Sequence, residues 1–122
     1  MSNQWPEFDK PKTKTVRSVL LEEGGGVSER TNGEIRFLVE SEASGTGGVL
    51  HRCFLSVPKV NYRYPLLRVV QDNLDYPVKV VADLWPEGAP ARSEVELRKK
   101  LGQVFRSEGV TKVVPQLMEL VS

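Results

Sequence analysis

His51 and Cys53 are the two side chains of this 122-residue chain whose types and spacing most readily suggest chemistry. They stand two residues apart in the run Val49–Val57, which is rich in β-branched and aromatic residues and reads as a strand. Residues at i and i+2 of a strand share a side and lie about 7 Å apart. A thiol beside an imidazole is the pattern of an activated nucleophile. The same side also carries Val49, Leu55 and Val57, however, so Cys53 reads as a small core residue. One histidine cannot build a histidine-based metal cluster or a full hydrolytic triad by itself.

The other motifs are weaker. Ser44-Gly-Thr-Gly-Gly48 is glycine-rich, but a phosphate loop needs a lysine and a helix after its glycines, and here Val49 and a strand follow. Gly24-Gly-Gly26 lacks that context too. The carboxylates Glu22, Glu23, Asp72, Asp75 and Asp83 fall at element ends, with no spacing that would hold two of them in contrasting environments. Asp72-Asn-Leu-Asp75 is too short for a calcium loop. Tyr62, Arg63, Tyr64 and Arg68 interleave rings with cations, as single-strand nucleic-acid binders do. Tyr62 and Tyr64 nevertheless point one way and Arg63 the other. The expectation is no catalytic residue, no metal and no cofactor.

Composition narrows the classes further. There are 17 Lys and Arg against 16 Asp and Glu, spread evenly along the chain, so no basic field marks a nucleic-acid partner. No apolar run approaches the ~20 residues that span a bilayer. The polar, acidic start and the single cysteine fit a reducing compartment, and the expected location is the cytoplasm. Hydrophobic content of 39% suits one ordinary globular domain.

Residues 1–13 read as an arm, with Trp5 and Phe8 able to dock it, and residues 14–122 as the domain. Residues 15–31 place Val16, Val19, Leu20 and Val27 on one helical face, interrupted by the triple glycine. The alternatives are a helix capped at Gly24, or a strand over 16–22 followed by a loop. Strands are expected at 34–40, 49–57, 61–70 and 76–82, joined by short turns as a curved antiparallel meander. Pro65 marks a bulge or an edge. Residues 83–92 contain Pro86, Gly88 and Pro90 and predict no regular element. Ser93-Glu-Val-Glu96 is a capping box that opens a helix ending at Gly109, and a last helix follows with Pro115 near its first turn. Strands segregated from helices predict an α+β fold.

Asn61-Tyr-Arg-Tyr-Pro-Leu-Leu-Arg, Leu74-Asp-Tyr-Pro-Val and Val113-Val-Pro-Gln-Leu-Met resemble a set of small bacterial proteins of hypothetical, mobile-gene type. The resemblance covers roughly the last 90 residues and, more loosely, Glu29-Arg-Thr-Asn-Gly33. It implies the element order and no activity, and the triple glycine departs from the helix that it implies.

One property bears on function. Leu38, Leu50, Phe54, Leu67, Val69 and Val81 occupy the parity that a sheet with one solvated face would fill with polar residues. Both faces therefore need cover, and two C-terminal helices supply it for one. Two functions follow as expectations. The first is an interaction protein using the spare apolar face, as a homodimer or with another protein. The second is a small-ligand binder or minor enzyme with a pocket between sheet and helices, lined by His51, Tyr62, Tyr64 and Arg68.

Overall fold

The computed structural model describes residues 4–9, 14–45 and 47–122. The other residues of the expected arm, and Thr46 in the glycine-rich loop, lie outside them. The chain runs α1 (Val16–Gly24), α2 (Gly26–Arg30), β1 (Arg36–Ala43), β2 (Val49–Val57), β3 (Tyr62–Gln71), β4 (Val78–Ala82), β5 (Trp85–Ala91), α3 (Glu94–Phe105) and α4 (Glu108–Glu119). The five strands form one open antiparallel sheet in sequence order. The fold is α+β, with one more strand than the periodicity predicts.

That strand, β5, pairs Ala91 with Val78 and Ala89 with Val80. Pro86 and Pro90 are tolerated because β5 is an edge, where alternate residues turn their amide position away from the neighbouring strand. The stretch 83–92, expected to hold no regular element, thus carries a strand.

Among the described residues, all the helical packing falls on one side of the sheet. Val16, Val19 and Leu20 of α1, Leu97, Leu101 and Val104 of α3, and Leu117 of α4 bury against that face. The sheet contributes Phe37, Val39, Cys53, Leu55, Val57, Leu67, Val69 and Val80. Side chains of this cluster fill the space between sheet and helices, and a notch of about 170 Å³ opens at its edge beside the turn between α3 and α4. Arg98 of α3 ties to α1 through Glu22 (2.8 Å) and Glu23 (3.1 Å), and to Glu94 on its own helix (3.0 Å).

The triple glycine has a packing reason. A Cβ on Gly24 would lie 2.2 Å from the Phe37 ring, so only glycine lets the end of α1 close on β1. The helix reading of 15–31 holds, with Gly25 as the break between α1 and α2. Thr15 caps α1 by accepting from the Ser18 amide at 3.2 Å.

The C-terminal helices divide earlier than expected. Ser107 caps α4, so Gly109 sits in the first turn of that helix and Pro115 lies inside it. At the start of α3, Ser93 Oγ accepts from the Glu96 amide, as the capping box requires. The Glu96 carboxylate takes the Arg92 amide (3.0 Å) rather than that of Ser93. No helix among the described residues is long and apolar enough to cross a membrane.

Candidate functional site on the helix-free face

The four predicted lining residues do not converge. His51 faces the helices at 4% exposure, whereas Arg68 is exposed on the opposite face. Tyr62 and Tyr64 share the His51 side but pair with Val57 and Leu55, while His51 pairs with Val69. Val57 lies six positions along β2 from His51, about 20 Å of strand.

The cause is a bulge. Cys53 pairs with Leu67 and Phe54 with Pro65, which leaves Leu66 without a partner on β2. Each extra residue reverses the side-chain parity beyond it. Leu67 and Val69 therefore join Tyr62 and Tyr64 on the inner face, and Arg63, Pro65, Arg68 and Val70 share the outer one. Two of the six residues that suggested a second apolar face belong to the core; Leu38, Leu50, Phe54 and Val81 stay outside, half-buried.

His51 sits in a directional relay. Its Nε2 lies 2.9 Å from Gln71 Oε1, an acceptor, so Nε2 carries the proton. Its Nδ1 lies 2.7 Å from Ser41 Oγ. Arg17 donates to the same oxygen at 2.7 Å and to the Val39 carbonyl at 3.1 Å. The Ser41 hydroxyl hydrogen is then free to point at Nδ1, and the ring is a neutral imidazole. Burial holds the His51 pKa below its ordinary value; the Gln71 hydrogen bond opposes this and the Arg17 charge reinforces it. The Ser41–His51 distance is that of a nucleophile and its base. Arg17 nevertheless occupies the serine oxygen, and the arrangement reads as a satisfied polar lock between α1 and the first three strands.

Cys53 takes no part in the relay. It is buried among apolar neighbours, which pushes its thiol up to about 12 and leaves it a core residue at neutral pH. Among the described residues no three His, Cys, Asp or Glu side chains cluster as metal ligands would.

The outer face is organised in transverse rows. Leu38, Phe54 and Pro65 form one, Glu40, Arg52, Arg68 and Val81 the next, and Glu42, Leu50, Val70 and Lys79 a third. Arg52 leans to Glu42 (2.9 Å) and Arg63 to Glu40 (2.9 Å), the latter lying 5.4 Å over the Phe54 ring. Arg68 stands directly opposite Arg52 and makes no ion pair among the described residues. Like charges opposed across strands cost stability.

A groove of about 520 Å³ opens beside this arginine pair, floored by Phe54, Pro65, Leu66 and Val81 with Asp83 and Pro86 at its far side. It exists because β3 pairs with β4 only from Arg68 to Val70, so the strands part at the bulge. Leu66, Ala82 and Asp83 also line a smaller notch of about 170 Å³ against the α3–α4 turn. Sequence reasoning placed Leu38, Leu50, Phe54 and Val81 on the outer face and marked a bulge or an edge at Pro65, beside the observed bulge, but missed Arg52 and the groove. Pro65 was the available signal. Comparison with known proteins finds no family model, no curated protein and no solved structure that matches this chain.

Proposed function

We propose that this chain is a non-catalytic interaction protein that seats a protein partner on its helix-free sheet face. The observation that carries this reading is the asymmetry of the sheet: every helix that packs on it lies on one side, and the other side keeps apolar residues around a groove. Apolar clefts with a few convergent polar groups are the usual form of binding sites, and Arg52 and Arg68 supply such groups here. Anchors in pockets of this kind commonly dominate binding energy.

Native mass spectrometry of the full chain, recovered from its own cells, tests the reading. Phe54→Lys should remove any assembly mass, whereas Val95→Lys, at a 76% exposed position on α3, should leave it in place. Loss with both variants, or with neither, would count against the outer face. A second reading follows from the arginine pair: the groove suits a small amphipathic anion, which would register as a mass increment of a few hundred daltons, on the order expected for a pocket-sized ligand.

A further inference from the structure

We infer that the cleft between the free edge of β5 and α3 is a binding site for a small molecule that carries a phosphate or pyrophosphate group. The inference stands apart from the reading of the helix-free face, with whose groove the cleft shares no residue.

The helix dictates which side chains reach the cleft. Leu97, Leu101 and Val104 turn the apolar stripe of α3 onto the sheet. On one flank of that stripe Arg98 reaches α1 and meets Glu22 and Glu23. Glu96, Lys99, Lys100 and Gln103 recur at steps of three and four residues, and β5 ends the sheet beside them. With Pro90 and Arg92 they line a cleft of about 420 Å³. Small-molecule sites commonly measure ~300–1,000 Å³.

The charges of this cleft are left unbalanced. Arg92, Lys99 and Lys100 line it against one carboxylate, Glu96, although the whole chain carries a formal net charge of only +1. Glu96 stands three and four residues before the two lysines, the spacing at which helical ion pairs form. It pairs with neither. Its carboxylate turns back instead to accept the Arg92 amide at 3.0 Å. Among the described residues none of the three cations makes an ion pair, whereas Arg98 on the same helix makes three. Lys100 is also held in place, with its ammonium 5.0 Å over the Trp85 ring. That contact positions the charge without neutralising it.

A compact anion of two or more charges complements such a cleft. Arg92 offers a forked guanidinium, the lysines two point charges and Gln103 an amide donor, a set suited to phosphate oxygens. The excess is confined to one cleft of a nearly neutral chain. The ligand is therefore small, since a nucleic-acid backbone calls for an extended basic surface.

Isothermal titration calorimetry of the full chain with inorganic pyrophosphate, at about 50 mM salt, tests this. Saturable one-to-one binding is expected, with a dissociation constant below about 1 mM. Arg92→Gln with Lys99→Gln, both at exposed positions, should weaken it about tenfold or more. Glu96→Gln should keep the bond to the Arg92 amide, remove the opposing charge and tighten binding about two- to fivefold. A folding defect would not produce that gain. Arg68→Gln, in the other groove, should change nothing.

No saturable binding up to about 5 mM pyrophosphate would overturn the inference, as would binding indifferent to the Arg92 and Lys99 changes. Succinate bound as tightly as pyrophosphate would overturn the assignment to phosphate. A single-stranded oligonucleotide bound more tightly than pyrophosphate would overturn the assignment to a small molecule.

Discussion

At the residue scale, His51 is a buried imidazole whose charged form is disfavoured first by its burial and then by the Arg17 charge, while the Gln71 hydrogen bond works the other way. Gln71 fixes the proton on Nε2, and the Ser41 hydroxyl, itself fixed by Arg17, points at Nδ1. Protonating Nδ1 would bury a positive charge near that of Arg17. Because the folded-state pKa lies below the ordinary imidazole value of 6.5, the unfolded chain takes up the proton first. Stability that is fully present above that value should fall as the pH drops through the lowered folded pKa. Urea denaturation at stepped pH should show this fall, and the His51→Gln variant should show less of it. Gln71→Leu would strand the Nε2 hydrogen in the core and should cost about 1–3 kcal/mol. Cys53 should react with thiol reagents only as fast as the domain opens, since its thiolate is disfavoured in place.

At the element scale, the fold turns on two close fits, and they show what the sequence could express. Alternation revealed β1 to β4, because a strand with one buried side repeats every two residues. It could not reveal β5, whose inward residues are Ala89 and Ala91 and whose outward ones are prolines and a glycine. Nor could it follow parity through β3, where Leu66 intrudes and moves Arg68 away from His51. The four-residue site was assembled on an unbroken parity, and one extra residue took it apart.

Gly24 looked like a helix fault and is a contact with Phe37. Gly24→Ala, which would gain helix propensity in isolation, should therefore destabilise the domain by about 1–3 kcal/mol through overpacking, measurable by thermal or denaturant unfolding. Arg68→Glu should act the other way. It converts a like-charged cross-strand pair with Arg52 into an opposite one, worth a few tenths to about 1 kcal/mol of added stability. A surface that becomes more stable when its charge is reversed is one whose native charge serves something other than folding.

At the scale of the whole molecule, the sheet is covered once. The helices supply a core on one side, and the bulge in β3 opens a groove on the other. The two-sided apolarity of the strands was legible in the sequence, although Leu67 and Val69 were assigned to the wrong side. What it could not convey is that the uncovered side also collects arginines, because Arg52, Arg63 and Arg68 meet only through strand register. The central claim is that a protein covers this side in use. Site-specific photo-cross-linking in the cells that make the chain tests it most directly, with the probe placed at Phe54 and, as a control, at exposed Val95 on the helical side. The expected result is a discrete cross-linked protein from Phe54 and none from Val95. Equal or absent cross-linking at the two positions would contradict the claim.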